Sequence, residues 1–305
     1  MADVNAIPVD QAAPQEWPLW PRDPPGTPVN PDVDEEIKTP AAAAAHEPGN
    51  FERVGRPSMF VYPSAQPSGA AALMFPGGGY VHVAMGGSSI PHGLNAAGIS
   101  VFVLKYRLPS GRWAAGPDAV LQDGQRAMRL IRANAARYAI DPSKVAVLGF
   151  SAGGHGAATM VARSQEQTYN PIDDADSQSA RPNLAGLMFS VIALDRSFAH
   201  AVSRDRLLGV DAPASVAARY SPDLHVTADA PPTFLAHAYD DPVVPVENSI
   251  AMYRALRAVN VSAELHVFQQ GGHGIKAFGT PNRNWMDLFL SWSKQYGFTT
   301  PPKGP

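Results

Sequence analysis

The segment Gly149-Phe150-Ser151-Ala152-Gly153 joins an apolar run, Val145-Ala146-Val147-Leu148, to a helical pattern that continues from Gly153 to about Arg163. A serine between two glycines at a strand-to-helix junction constrains the fold more than any other feature of this chain. The turn must be tight, so the serine is held in a strained backbone conformation and its hydroxyl stands out over the end of a sheet. The flanking glycines remove side chains that would strike the neighbouring backbone. The following helix directs its N-terminal amides at the hydroxyl, which makes the Ala152 N–H a candidate oxyanion donor. Taken alone the pentapeptide also describes an ordinary structural turn; its strand–turn–helix setting gives it weight.

The surrounding pattern supplies a sheet for that turn to sit on. Met59 to Tyr62, Ala71 to Phe75, Leu184 to Ile192, Thr233 to His237 and Ala263 to Phe268 read as strands. Ile99 to Leu104 is a nearly continuous apolar, β-branched run, as expected of a strand buried on both faces. Between them lie helical patterns. Asp118 to Tyr138 carries Ala127, Met128, Ile131, Ala135 and Tyr138 at helical spacing, with Arg126, Arg129, Arg132 and Arg137 between. Pro245 to Val259 reads as a further helix. In the last one, Trp285, Phe289 and Trp292 share the core face. Strands alternating with helices predict an α/β fold, a mostly parallel central sheet with helices on both faces.

Residues 1–57 differ. Pro18, Pro21, Pro24, Pro25, Pro28, Pro31 and Pro40 each remove a backbone donor, and no period is sustained. This region reads as an arm packed on, or flexible beside, a single catalytic domain at 58–305, with at most one helical turn at Ala41 to Ala45. A net charge of −3 offers no basic footprint for nucleic acid and no polybasic patch for a membrane. No run approaches transmembrane length and the N-terminus lacks signal-peptide character. The expectation is a soluble protein, cytoplasmic as written, and periplasmic or secreted if a leader was removed. With no cysteine, thiolate metal sites and cysteine nucleophiles are excluded. Asp173, Asp174 and Asp176 lack the spacing of a calcium loop and read as solvated surface. Neither a P-loop nor a G-x-G-x-x-G after a strand is present. No cofactor and no metal are expected.

Two further stretches complete a candidate acyl-transfer site. Pro76-Gly77-Gly78-Gly79-Tyr80 follows a strand, and three glycines let backbone N–H groups converge on one point. The amides of Gly78 and Gly79 are the expected oxyanion donors beside Ala152, and Tyr80 and His82 are candidates for the substrate pocket. In the chain order of an α/β-hydrolase the acid follows the serine and the histidine comes last. Of nine histidines, His273 sits after a strand in Gly271-Gly272-His273-Gly274, where an imidazole can reach inward. His237 and His266 fall within strands and read as core histidines, and His155 reads as structural. Asp240 and Asp241 compete for the acid, and neighbours in an extended loop point in different directions. Asp241 is the choice, 90 residues after Ser151 and 32 before His273. His200, Ser203 and Arg204 lie in a segment read either as a cap over the pocket or as a solvated helix.

Together with Lys105 to Pro109, Gly149 to His155, Ser179 to Pro182 and Asp240 to Ser249, these motifs resemble an esterase/lipase group of the α/β-hydrolase fold that contains bacterial xylan acetylesterases. The resemblance runs from about Trp17 to Trp292. It implies cofactor-free hydrolysis of short acyl esters, often acetyl groups on plant polysaccharide fragments. The substrate is then a small-molecule or oligosaccharide ester. It also supports Asp241, because the group's acid opens an Asp-x-x-Val-Pro stretch. Two departures are visible: Phe189-Ser190-Val191-Ile192 stands where relatives often carry Tyr-Pro-Val-Ile, and Gly86-Gly87-Ser88 replaces a common acidic residue. A general small-ester carboxylesterase and a non-catalytic binding protein of the same fold stand as alternatives. A peptidase of the prolyl-oligopeptidase type shares the serine turn but usually carries an N-terminal propeller, which the arm is too short to build.

Overall fold

The computed structural model describes residues 14–29, 34–37, 43, 47–85, 89–109, 113–274 and 284–299. An eight-stranded sheet crosses the molecule, built from β1 (Gln15–Pro18), β4 (Ser58–Tyr62), β5 (Ala71–Phe75), β6 (Ser100–Lys105), β7 (Val145–Phe150), β8 (Leu184–Met188), β9 (Thr233–Ala238) and β10 (Ala263–Phe268). Their spatial order is β1-β4-β6-β5-β7-β8-β9-β10, and β2 (Glu35–Ile37) pairs with β3 (Asn50–Arg53) apart from them. From β6 to β10 every neighbouring pair is parallel, whereas β4 is antiparallel to β6 and β1 to β4. This is the doubly covered, mostly parallel sheet of an α/β-hydrolase.

The inner parallel strands β5, β7 and β8 are apolar along their length because helices cover both of their faces, whereas the edge strand β10 carries Glu264 and His266 and is only partly buried. Successive residues of β7 point to opposite sides. On one side, a Cβ built on Gly149 would meet Ala157 of α3 (Ser151–Arg163). On the other, Leu148 and Phe289 of α7 (Trp285–Ser293) fill the space above Gly186 of β8. The helix α1 (Ser89–Ala96) joins α7, with Met286 pressed on Gly93. The helix α2 (Ala119–Ala133) joins α3, and Gly124 and Gly156 both receive the ring of Phe75. Two short helices, α4 (Ala201–Leu208) and α5 (Ala214–Arg219), precede β9, and α6 (Glu247–Ala258) connects β9 to β10. Among the described residues no helix is long and apolar enough to cross a membrane.

The arginine-rich face of α2 faces protein. Arg126 and Arg132 are buried. The Arg126 Nε donates to the Leu19 carbonyl at 2.9 Å, and its guanidinium pairs with Asp173 and Asp176. The Asp176 side chain is only 1% exposed, which corrects its reading as solvated surface. Leu19 and Trp20 are buried in the core, and the Trp20 indole donates to Asp123 at 3.0 Å. The arm at residues 15–25 is therefore laid into the body, its strand β1 capping the antiparallel side of the sheet. Several element boundaries also differ from the sequence pattern, two of them by four residues or more. The strand expected to run to Ile192 stops at Met188, because Phe189 adopts a left-handed backbone with φ 39°. The long helix ends at Ala133 and finishes in a 3₁₀ turn over Ala135–Tyr138. The Gly86-Gly87-Ser88 stretch and, Ala43 excepted, the Ala41 to Ala45 turn lie outside the described residues.

Candidate active site

All the candidate residues sit at the carboxyl ends of parallel strands, where open α/β sheets bind ligands. Ser151 is the first residue of α3, immediately after β7, with φ 54°. The tight turn brings α3 against the loop after β5. A Cβ on Gly153 would lie 2.1 Å from the Pro76 carbonyl oxygen, so only glycine permits this approach. Strain at Ser151 is thus maintained by the packing on either side of it.

The loop after β5 lies beside the serine: a Cβ built on Gly77 would sit 3.1 Å from the Ser151 Cβ. Gly78, Gly79 and Tyr80 follow with φ of 124°, 64° and 61°. At Gly78 a side chain would collide with the His82 carbonyl oxygen at 2.1 Å. The turn closes through hydrogen bonds from Val81 and His82 amides to Gly78 O, and from Ala84 to Gly77 O. No described backbone carbonyl takes the N–H of Gly78 or Gly79. Ala152, in the first turn of α3, has an N–H without an intrahelical acceptor. Three amides are thus available beside one hydroxyl.

The structure brings Ser151, His273 and Asp241 into one hydrogen-bonded row. His273 Nε2 lies 2.9 Å from Ser151 Oγ, and His273 Nδ1 lies 2.8 Å from Asp241 Oδ2. Asp241 Oδ1 accepts from the amides of Val243 and Val244 at 2.8 and 2.9 Å. Burial would raise this carboxyl, but hydrogen bonds from His237, His273 and the two amides outweigh it and hold the group well below the ordinary carboxylate range. It is therefore ionised at neutral pH. With a carboxylate on Nδ1, that nitrogen carries the imidazole proton, and the Nε2 lone pair faces the serine. Asp240 turns away: it is exposed, and its Oδ1 accepts from the Gly272 amide at 2.8 Å, holding the loop that carries His273.

Other side chains frame this row. The Phe189 ring stands edge-on to the His273 imidazole, 5.0 Å between centroids. The segment before α4 also reaches the site. His200, half-buried, is pushed below the ordinary histidine range by desolvation and by nearby His273, with Asp241 opposing. Val202 and Val81, both exposed, lie 3.7 and 3.9 Å from where a Cβ would stand on Gly79. Asn248 on α6 fixes this segment, its Oδ1 accepting from Ile192 and Ala193 and its Nδ2 donating to Phe198 O.

Tyr80 does not line the cleft. It is 2% exposed, and its hydroxyl is bound to His155 Nδ1 at 2.8 Å. His155 Nε2 in turn faces the Tyr220 carbonyl at 2.7 Å, and burial lowers this imidazole to about 4. The pair anchors the glycine loop to α3. His82 is half-buried, with its ring against Gly78. Sequence reasoning missed Phe189 and His237. A bulky residue forced to positive φ leaves no compositional signal. A buried histidine on a strand reads the same whether or not it touches a carboxylate. Among the described residues no group of three or more His, Cys, Asp or Glu is placed to hold a metal ion.

The family designated BD-FAE matches residues 63–256. The chain is 31% identical over 237 residues to an acetylxylan esterase of Xylanibacter ruminicola, the match covering 76% of this chain and 46% of that protein. It is 32% identical over 222 residues to endo-1,4-beta-xylanase B of Butyrivibrio fibrisolvens, covering 72% and 34%. The chain thus spans less than half the length of these curated relatives. Among solved structures, an acetyl ester-xyloside bifunctional hydrolase from Caldicellulosiruptor lactoaceticus superposes with a TM-score of 0.75 at 31% identity, over 94% of this chain and 98% of that one.

Proposed function

This chain belongs to the BD-FAE family, and on that footing we propose that it is a serine ester hydrolase that removes short acyl groups, chiefly acetyl, from carbohydrate such as acetylated xylan fragments. The observation that carries the reading is the unbroken row from Asp241 Oδ2 through His273 to Ser151 Oγ, at 2.8 and 2.9 Å, beside the unclaimed amides of Gly78 and Gly79. The carbohydrate ester is supported by relatives named for acetylxylan and acetyl ester-xyloside hydrolysis.

The reaction proceeds through an acyl-enzyme. His273 Nε2 takes the Ser151 proton as Oγ attacks the ester carbonyl, and the Gly78, Gly79 and Ala152 amides hold the negative oxygen. Asp241 stabilises the imidazolium that forms without taking its proton. His273 then protonates the departing sugar oxygen, which leaves as a hydroxyl, the acyl group remains on Oγ, and water repeats the sequence to release the acid. The exposed apolar pair Val81 and Val202 beside Gly79 favours a second reading, a general hydrolase of small esters with apolar leaving groups.

The test is acetate release from acetylated xylo-oligosaccharides, with Ser151→Ala as the blank. Wild-type release, with a loss of several orders of magnitude in the variant, is expected. Release by Ser151→Ala at the wild-type rate overturns the serine assignment. Turnover of an aryl acetate but not of the oligosaccharide moves the conclusion to the second reading, and binding without turnover of either moves it to a non-catalytic protein.

A further inference from the structure

His237 is the penultimate residue of β9, four residues before Asp241, and is fully buried, as is Ser249 on α6. Its Nδ1 lies 2.8 Å from Ser249 Oγ. Its Nε2 faces two acceptors, the Val244 carbonyl at 2.9 Å and Asp241 Oδ2 at 3.2 Å. Acceptors on one side and a hydroxyl on the other determine the tautomer: Nε2 carries the proton, and the Ser249 hydroxyl donates to Nδ1. An imidazole needed only to fill the core is satisfied by Val244 O and Ser249 alone. This one is placed so that the same N–H also reaches the oxygen that receives His273.

We propose that His237 is a positioning residue of the reaction, whose Nε2–H donates to Asp241 Oδ2 and fixes the carboxylate on which His273 turns. With it, Asp241 accepts four hydrogen bonds, Val243 and Val244 on Oδ1 and His237 and His273 on Oδ2. That fills the acceptor capacity of a carboxylate. A carboxylate held on all sides cannot rotate, so the imidazole bound to it presents Nε2 to Ser151 in one orientation. The second donor also draws off part of the charge on Oδ2, which tempers its hold on the His273 imidazolium. No proton moves along the added link: through each half-reaction the transferred proton goes between Ser151, His273 and the alcohol or water. His237 keeps its own on Nε2. Among the described residues, Asp241 and His273 are the titratable groups in contact with this arrangement, His273 from the loop after β10; His200, from the segment before α4, acts electrostatically on both, and α6 contributes only the Ser249 hydroxyl.

The inference rests on the reading of Ser151, His273 and Asp241 as the reacting row, and one experiment separates the two. The variants His237→Phe, which has no donor, and His237→Gln, which returns an N–H near the place of Nε2, are compared with wild type and Ser151→Ala. The readouts are kcat, KM and the pH profile of kcat/KM. His237→Phe should lower kcat about 10- to 100-fold, as removal of an outer partner that orients a reacting group commonly does, and leave KM nearly unchanged. Its acid limb should move to higher pH by about half a unit or more, because Oδ2 without its second donor holds the imidazolium more tightly. His237→Gln should recover most of kcat and bring the limb back. Equal losses in both variants with the limb unmoved show a packing role only and overturn the proposal, as does wild-type kcat in His237→Phe. Should His237→Phe fail to fold, Ser249→Ala decides with His237→Gln: freeing Nδ1 should shift the limb in the same sense, and an unmoved limb counts against the proposal. A wild type without Ser151-dependent turnover defeats the underlying reading instead.

Discussion

At Asp240 and Asp241 the chain sets two carboxylates side by side and turns them in opposite directions. Asp241 points inward to His273 Nδ1 and to the amides of Val243 and Val244, while Asp240 is exposed and steadies the Gly272 amide. Replacing Asp241 by Asn puts an amide opposite His273. Its NH₂ can donate to Nδ1, which favours the tautomer with the proton on Nε2 and leaves the serine without a base. The expected loss in kcat is about 10⁴-fold, by analogy with the same substitution in a serine protease. Asp240→Asn keeps an acceptor for Gly272 and should cost less than about tenfold, as expected for one exposed hydrogen bond. Steady-state kinetics of the two variants on one ester decide the matter, and a larger loss in Asp240→Asn reverses the assignment. At this scale much of the site was legible. Ser151, His273 and the glycine loop each announce themselves by residue type beside a strand end. Tyr80 did not, because φ 61° turns its side chain into the core where a sequence reading expects it at the cleft.

Elements were legible where one force dominates. The β5 and β10 strands match their sequence pattern to the residue, since a short apolar or alternating run bounded by turn residues has few other uses. The β1 strand was not legible: Gln15-Glu16-Trp17-Pro18 is polar and ends in proline, features tolerated only at a sheet edge. Tertiary context makes it a strand. Glu16 accepts from Ser58 Oγ at 2.6 Å and from Lys105 Nζ at 2.7 Å, and Trp20 just beyond it is 6% exposed. The arginines of α2 carried the missing clue, for they look solvated until the arm supplies their partners. If the arm is part of the cooperative unit, Trp20→Ala should cost about 3–5 kcal/mol, as burial of a whole indole predicts. Urea unfolding at neutral pH measures it. A change within about 0.5 kcal/mol, the size of a surface substitution, would show the arm to be peripheral.

For the whole molecule, buried histidine makes stability depend on pH in a definite window. His155 is 3% exposed and bound between Tyr80 and Tyr220, and burial lowers it from 6.5 to about 4. Between those values the unfolded chain binds a proton that the folded chain refuses, so the unfolded state gains as pH falls. The stabilisation is complete above about pH 6.5 and lost progressively down to about pH 4. A shift of this size corresponds to about 3 kcal/mol. His200, lowered chiefly by desolvation, acts in the same sense, whereas Asp223, raised by burial, gains stability as it protonates and opposes them. The carboxylates held low, Asp241, Asp173 and Glu166, stabilise the fold above their unfolded values and lose that contribution only as pH falls below about 4. Denaturant titrations at pH 7.5 and 5 should therefore show a drop of about 2 kcal/mol. In His155→Gln, whose amide can replace one of the two hydrogen bonds, most of that drop should vanish while the value at pH 7.5 falls. The anchoring of the glycine loop through Tyr80 links this to function: in the wild type, esterase activity after incubation near pH 4.5 should decay along with the fold and return on neutralisation. An undiminished denaturation midpoint at pH 5 would mean that His155 titrates freely in the folded protein, and that the loop is held by something other than this buried pair.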